Sequence, residues 1–309
     1  MEKYKLESDL KVFGRPVKTF PIGIGEAFDE LLKTLPKGDE RTYYGISQCT
    51  NGTIIYIAAA LETFAGEGKK YGYENYSIEK GDYLTATLID WTSKTNCIKD
   101  VFEELGNEGI GDNTKPFVEM YKNMKEMMCM VKIDPRKEVL PEFDTVLGEL
   151  LQTLSSITQQ QLNTVPFQGS WTAGQLAEHL ILSNSGFAQI INGPVKETER
   201  APDEKVKTIK ANFLDFTAKA ESPDFVKPKN IGHKKEELLH SLQDIKATIK
   251  EAIQTLDLSK TCLAFEIPVY GFLTRLEAMH FVIYHTQRHL QQLKNIVKVL
   301  NNKVEYHPQ

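Results

Sequence analysis

The sequence contains few cysteines and no long apolar run. Its four cysteines are scattered over 309 residues without a C-x-x-C pair, which argues against a cysteine-based metal site and fits a reducing compartment. The longest apolar runs, such as IIYIAAAL, fall well short of the roughly 20 residues of a membrane span. The first residues, MEKYKLESDLKVFG, lack the apolar core of an export signal. We therefore expect a cytoplasmic protein with no membrane partner.

Positive charge is not in excess either, because the formal net charge is −5. Proteins that bind nucleic acid usually present a basic face, so this balance does not favour a nucleic-acid partner. Solubility alone is enough to explain the charge. The hydrophobic fraction of 41% and the length of 309 residues are typical of a globular protein with two domains.

The sequence pattern of residues 1–134 predicts a duplicated α+β domain. Five stretches rich in β-forming residues, RTYYGIS, TIIYIAAALE, DYLTATLID, PFVEMY and MMCMVKI, are separated by turn signals. Amphipathic patterns near residues 24–35 and 94–105 predict two helices in the same region. The order strand, helix, strand, strand then occurs twice, which indicates a duplication at the level of structure.

The sequence pattern of residues 140–302 predicts an all-α four-helix bundle. Four segments carry apolar residues at helical spacing, and the second begins with a capping-box pattern at Thr172 and Gln175. The stretch between residues 193 and 232 is polar and contains four prolines. We expect this stretch to run as a long excursion over the surface.

Two histidines lie four residues apart in the last helical segment, in the run HTQRHLQQL. Val282, His285, His289 and Leu293 recur at spacings of three and four, so both imidazoles belong to the inward face of one helix. His179 is the other histidine predicted to face inward, on the second helix. Three imidazoles would hold a divalent ion and leave one position open for water, as catalytic zinc sites do.

The alternative interpretation is a set of core histidines whose nitrogens bind protein groups. An H-x-x-x-H pair by itself is weakly specific. Three imidazoles suit zinc, nickel, iron or manganese, so the choice of metal stays open. Gln175, Glu178 and Gln292 are candidate helpers on the same helix faces, and we expect Arg288 to point elsewhere, toward the surface or a dimer partner.

The motifs SWTAGQLAEHL and HTQRHLQQL together resemble the DinB-like family of four-helix bundles, which includes the YfiT-like metal-dependent hydrolases. The family's three histidines correspond here to His179, His285 and His289. The resemblance implies a bound divalent metal ion, zinc, nickel or similar, and often a homodimer. It implies an activity less firmly, because members range from thiol transferases and amide hydrolases to proteins without an established activity.

The stretches YYGISQCTNGTIIYIAAALE, YSIEKGDYLTATLID and PFVEMYKNMKEMMCMVKI resemble the GyrI-like small-molecule (effector) binding domain. That family has a duplicated strand-helix-strand-strand fold with an aromatic pocket and a glutamate that faces cationic ligands. The glutamate corresponds to Glu119, and Tyr44, Tyr56, Tyr83 and Trp91 are expected pocket walls. The alternatives are a solvated strand residue for the glutamate and ordinary sheet packing for the tyrosines.

The sequence therefore predicts a two-domain metal-dependent hydrolase or thiol transferase. It would act on a small molecule captured with the help of the front domain, which binds amphipathic or cationic ligands. The alternative is a non-catalytic protein that binds or sequesters a small molecule and uses the bundle as a dimerisation scaffold. A third hypothesis assigns hydrolysis of electrophilic small molecules to the front domain, through Glu119 and a tyrosine.

Overall fold

The computed structural model describes residues 1–36, 40–50, 52–217 and 221–304, without the side chains of residues 303 and 304. The chain divides into two compact units, Met1–Asp134 and Pro135–Gln309. The first unit is α+β and the second is a helical bundle, so the predicted fold class is confirmed. No helix in the described part of the chain has the length and apolar character needed to cross a membrane.

Within the described residues, the first unit has eight antiparallel strands in one sheet and three helices. The strands are β1 (Glu2–Leu6), β2 (Leu10–Pro16), β3 (Tyr43–Thr50), β4 (Thr53–Leu61), β5 (Glu74–Ile78), β6 (Gly81–Ile89), β7 (Phe117–Tyr121) and β8 (Glu126–Lys132). The helices are α1 (Ile24–Thr34), α2 (Glu67–Tyr71) and α3 (Ile98–Asn107).

The strand order shows the predicted duplication. The sheet runs β1-β6-β8-β7-β3-β4-β2-β5, so β6, β8 and β7 on one side repeat the arrangement of β2, β4 and β3 on the other. Helices α1 and α3 occupy the same place in the two repeats, between the first and second strand. The five stretches predicted as strands correspond to β3, β4, β6, β7 and β8. The edge strands β1 and β5 carry many charged and polar residues, which hides them from a search for apolar strands.

The two faces of this sheet are covered differently, because successive strand residues point to opposite sides. On one face, α1 and α3 pack through Leu31 and Leu105 onto the sheet. On the other face, Leu6 and Ile78 from the two edge strands join one cluster with residues of the central strands. One apolar cluster therefore runs across this face of the curled sheet, from one edge to the other.

A buried ion pair lies in the first repeat. The Arg41 guanidinium donates to the Glu67 carboxylate at 2.6 Å, and the Glu67 side chain is fully buried. The backbone N–H and the hydroxyl of Thr63 donate to the same carboxylate at 2.8 Å. Burial by itself raises the pKa of Glu67, but the hydrogen bonds from Arg41 and Thr63 outweigh it and lower the pKa to about 2.

In the second unit, four long helices form the bundle within the described residues. They are α4 (Arg136–Ser156), α6 (Ala173–Asn192), α8 (Lys235–Thr255) and α9 (Arg275–Val304). Two short helices, α5 (Gln159–Leu162) and α7 (Val206–Leu214), and a two-residue strand pair, β9 (Val195–Lys196) with β10 (Thr261–Cys262), connect them. Helix α9 packs against α4, α6 and α7, so the HTQRH run faces α6 directly.

Capping boxes set where α6 and α9 begin. The Thr172 hydroxyl accepts from the Gln175 N–H at 3.1 Å while the Gln175 side chain accepts from the Thr172 N–H at 3.0 Å, which confirms the predicted box at the start of α6. Thr274 and Glu277 repeat the arrangement at the start of α9. Each box satisfies N–H groups that a helix start leaves without partners.

The long excursion after α6 lies less on the surface than the sequence predicts. Its helix α7 packs on α9 and buries Ile209 completely in the core of the bundle. The Arg200 guanidinium forms a two-pronged pair with the buried Glu277 carboxylate, which also accepts from the Lys205 N–H at 2.8 Å. The excursion is therefore tied to the first turn of α9.

We predict that Glu67→Gln lowers the free energy of unfolding of the first unit by about 3 kcal/mol at neutral pH, because it leaves Arg41 buried without its counter-charge. The folded-state pKa of Glu67 is about 2 and its usual value is 4.5. The stabilisation is thus fully present above about pH 4.5 and is lost as the pH falls through about 2. The difference between wild type and variant should shrink over that window.

Denaturant unfolding followed by Trp91 fluorescence, in a Trp171→Phe background, measures this difference. Glu103→Gln is the control, since Glu103 pairs with Lys99 on the solvent-exposed side of α3. Exposed pairs contribute little, so this variant should unfold like wild type. A Glu67→Gln variant as stable as the control would contradict the prediction.

Candidate functional site

The structure brings together the three histidines singled out from the sequence. His179 lies in the middle of α6, and His285 and His289 lie one turn apart on the facing side of α9. Their Nε2 atoms are 3.2 Å (His179 to His285), 3.2 Å (His179 to His289) and 3.1 Å (His285 to His289) apart. Within the described residues, these three side chains form a group that could hold a metal ion.

Hydrogen bonds at the other ring nitrogen set the tautomer of two of these rings. His179 Nδ1 donates to the Val226 carbonyl at 2.8 Å, and His289 Nδ1 lies 3.0 Å from the Gln292 side-chain oxygen, which accepts from it. A neutral imidazole carries one proton, so the Nε2 atoms of both rings present a lone pair toward the centre. His285 Nδ1 is buried and has no hydrogen-bond partner among the described residues.

The three imidazoles are neutral at neutral pH. Burial lowers the pKa of His179, lowers that of His289 to about 4, and takes that of His285 well below its usual range. The neighbouring rings lower the pKa values of His285 and His289 further. The inward lone pairs of neutral His179 and His289, beside the Nε2 atom of His285, form a donor set that is suited to a positive ion.

The spacing also fits a divalent metal ion. Two nitrogens bound to a tetrahedral zinc ion at about 2.0–2.1 Å lie about 3.3 Å apart. The observed separations between Nε2 atoms of 3.1–3.2 Å are close to this value. Three protein nitrogens leave further coordination positions for a water molecule or a substrate.

Aromatic side chains surround the triad. The Trp171 ring lies 5.2 Å from the His179 ring, and the Phe213 ring lies 5.3 Å from the His285 ring. His179 and His285 are 2% and 8% exposed, whereas His289 is only partly buried. The triad is therefore largely buried, with apolar rings beside it.

Arg288 differs from the expectation that it points away toward the surface or a dimer partner. It is partly buried and donates to the Phe213 and Asp215 carbonyls at 3.1 and 2.8 Å, at the end of α7. Its charge also contributes to the lowered pKa values of His285 and His289. The residue therefore joins α7 to the helix that carries the two histidines.

The three predicted helper residues have different roles. The Gln292 side-chain oxygen accepts from His289 Nδ1 and so orients that ring. Gln175 closes the capping box of α6. Glu178 accepts from the ring of His233 at 2.9 Å, an interaction that the sequence pattern does not reveal because His233 lies in a polar loop.

Comparison with known proteins finds a family for part of the chain. Residues 142–293 match the family model of the DinB superfamily. The second unit contains a DinB-like domain. No protein of curated function matches the chain.

Several solved structures are also similar to parts of this chain. YfiT from Bacillus subtilis, described as a probable metal-dependent hydrolase with an unusual four-helix bundle topology, is 19% identical, with a TM-score of 0.35, over 53% of this chain and 86% of that chain. An integron cassette protein from Vibrio cholerae is 14% identical, with a TM-score of 0.34, over 43% of this chain and 95% of that chain. A structure of SAV2435 bound to tetraphenylphosphonium is 11% identical, with a TM-score of 0.33, over 43% of this chain and 93% of that chain.

A second candidate site lies in the first unit, around Glu119 on β7. The Glu119 carboxylate is 8% exposed and accepts hydrogen bonds from the Tyr56 hydroxyl, at 2.6 Å, and from the Tyr121 hydroxyl. Burial raises the pKa of Glu119, although both phenols work in the opposite direction. The alternative interpretation of this glutamate as a solvated strand residue is therefore wrong.

Aromatic rings enclose the two phenols that bind this carboxylate. The Phe20 ring stacks on Tyr56 at 5.3 Å. Phe28 and Trp91 contact the Tyr121 ring at 5.2 and 4.8 Å. The structure thus places two of the expected wall residues, Tyr56 and Trp91, in the aromatic group around the glutamate. Tyr121 was detectable from the sequence, because it follows the glutamate by two positions and shares its strand face.

The structure does not bring Tyr44 and Tyr83 to this group, which corrects the expectation that they line the pocket. Both rings lie in the core cluster on the other face of the sheet. Tyr44 is next to Gly45, which pairs with Glu119 across the strands. Neighbouring residues in a strand point to opposite sides, so the Tyr44 ring faces away from the carboxylate.

Gly45 leaves the space in which the carboxylate sits. A Cβ atom at this position would lie 2.1 Å from the Tyr56 hydroxyl oxygen and 2.4 Å from Glu119 Oε2. Both separations are too short for non-bonded atoms. The hydrogen bond between Tyr56 and Glu119 therefore depends on the absence of a side chain at residue 45.

We predict that Gly45→Ala lowers the free energy of unfolding of the first unit by about 1–3 kcal/mol, because the added methyl group displaces two buried hydrogen-bonded side chains. Gly106→Ala in α3 is the matched control, since its added Cβ would have no neighbour within 4 Å. In a helix that change should stabilise by up to about 1 kcal/mol. Trp91 fluorescence during denaturant unfolding measures both, and equal effects would contradict the prediction.

Proposed function

We propose that the DinB-like domain is a metal-dependent hydrolase or thiol transferase that acts on a small molecule at His179, His285 and His289. The observation that supports this most is the convergence of three buried Nε2 atoms within 3.2 Å of one another. Zinc, nickel and similar divalent ions all accept three imidazole ligands.

A divalent ion held by three imidazoles lowers the pKa of a bound water or thiol and so supplies a nucleophile at neutral pH. The chain's own residues prepare the site for that chemistry. The Val226 carbonyl and the Gln292 side chain hold the outer ring protons of His179 and His289, so the inner nitrogens stay free of protons. Trp171 limits the access of bulk water and offers an apolar surface to a substrate.

The charge of the site favours an anionic substrate group. All three imidazoles are neutral, and no acidic side chain belongs to the cluster within the described residues. The Arg288 guanidinium adds positive charge nearby. A carboxylate, a thiolate or the oxyanion that forms during hydrolysis would therefore be stabilised rather than repelled.

We also propose that the first unit is a GyrI-like module that binds amphipathic or cationic small molecules. Support comes from the buried Glu119 carboxylate and the aromatic rings around it, because aromatic faces and a carboxylate both attract cations. This module would capture a ligand whether or not the second unit is catalytic. The homodimer and the cytoplasmic location stay predictions.

We predict about one zinc or nickel ion per chain in protein purified with that metal in the medium, measured by elemental analysis after gel filtration. His285→Ala should lose most of the metal, because two ligands hold an ion much more weakly than three. His240→Ala is the control, since His240 is exposed on α8 and pairs with Asp244. A wild-type content near zero under every metal supply would contradict the proposal.

Turnover on a panel of ester, amide and thiol-plus-electrophile substrates separates the catalytic hypotheses. If the DinB-like domain is the catalyst, chelation abolishes turnover and added metal restores it, while Glu119→Gln retains activity. If the first unit is the catalyst, Glu119→Gln abolishes turnover and His289→Ala does not.

For the first unit, we predict that benzyltrimethylammonium binds wild type at least about tenfold more tightly than Glu119→Gln, as measured by calorimetry. The pKa of Glu119 is raised by burial, and a cation favours its ionised form. Affinity should therefore rise as the pH rises through that pKa and level off above it. Glu103→Gln on α3 should behave like wild type, and equal binding by Glu119→Gln would contradict the proposal.

A further inference from the structure

A segment of the excursion, residues 224–233, lies across α6 beside the triad. We call it the strap. Three short hydrogen bonds join it to α6: the Val226 carbonyl accepts from His179 Nδ1 at 2.8 Å, the Lys229 N–H donates to Glu178 at 2.7 Å, and the His233 ring donates to Glu178 at 2.9 Å. Both of the Glu178 bonds go to the same oxygen, Oε2. The residue next to a candidate metal ligand thus receives two hydrogen bonds from the segment that orients this ligand.

The far end of the strap is firmly held. The His233 N–H donates to the Asn163 side chain at 2.8 Å, and its carbonyl accepts from Gln159 and Asn163 at 2.7 and 2.9 Å. The His233 ring packs on α6 at Gly174, where an added Cβ would lie 3.0 Å from the ring. The ring's Nδ1 has no hydrogen-bond partner among the described residues. The ring is therefore hydrogen-bonded to α6 through Nε2, which donates to Glu178.

The near end of the strap has little apolar packing of its own. Phe225 is 67% exposed, and its ring centroid lies 6.1 Å from that of Phe265, which is also exposed. Besides the Glu178 bonds, Gln175 donates a longer hydrogen bond of 3.4 Å to the Lys229 carbonyl. Because Val226 is only partly buried, its position depends largely on the polar contacts that follow it in the chain.

We propose that Glu178 and His233 are positioning residues for the triad. Together they hold the strap against α6, so that the Val226 carbonyl keeps the proton of His179 on Nδ1 and leaves Nε2 free for a metal ion. Neither residue offers a donor atom to the triad. The inference rests on the proposed metal site, and its test therefore has one arm that needs no metal.

The first arm measures zinc affinity by competition with a chromogenic chelator. Loss of partners that orient metal ligands typically costs about 10–100-fold in affinity, and we expect a loss in this range for Glu178→Ala and for His233→Ala. The double variant should bind zinc no more weakly than the weaker single variant, because both changes release the same strap. Glu178→Gln should retain most of the affinity, since its amide oxygen still accepts both hydrogen bonds.

Glu149→Ala is the matched control for these variants. It also removes a glutamate of the bundle, but one that pairs with Lys294 on the surface. It should bind zinc like wild type. Equal zinc affinity of Glu178→Ala, His233→Ala and this control would overturn the proposal, and so would additive losses in the double variant.

The second arm reads the tautomer of His179 in metal-free protein from its ¹⁵N chemical shifts. Wild type and Glu178→Gln should show the proton on Nδ1, whereas Glu178→Ala should show a mixture of tautomers. An unchanged Nδ1 tautomer in Glu178→Ala would overturn the positioning role. If wild type binds no metal, the proposed function fails, and this arm still decides whether Glu178 and His233 orient His179.

Discussion

The contact between α6 and α9 is the constraint on which the second unit depends. It brings three imidazoles from two helices into a buried site, where charged forms are disfavoured and lone pairs face one another. Capping boxes at Thr172 and Thr274 fix where both helices begin and therefore which side chains face inward. A shift of either helix by one residue would turn its histidines out of the site by about 100 degrees.

Burial shifts pKa values in opposite directions in the two units, because it favours the neutral form of an imidazole in one and of a carboxyl group in the other. In the bundle, burial lowers imidazole pKa values and keeps the rings neutral, which is the state that binds a metal ion. In the sheet, burial raises the pKa of Glu119, and the phenols of Tyr56 and Tyr121 only partly compensate. A positive ligand would act differently in the two sites: a metal ion would bind the neutral imidazoles as they are, whereas an organic cation would favour the ionised form of Glu119 and so lower its raised pKa.

Residues whose role follows from local pattern could be predicted, and others could not. Helical spacing identifies His285 and His289, and the inward face of α6 adds His179. The position of Tyr44 relative to Glu119 could not be predicted, because it depends on the pairing of Gly45 with Glu119 across β3 and β7, which only the folded sheet shows.

Local sequence dictates where helices begin, which residues share a face and which strands alternate, because these properties depend on residues a few positions apart. It does not dictate which faces meet. His179 and His285 are separated by 106 positions, and the carbonyl that orients His179 comes from Val226, 47 positions away. Every residue has a backbone carbonyl, so the residue types do not indicate which carbonyl will accept from His179. Only the packing of the folded chain decides that it is the carbonyl of Val226.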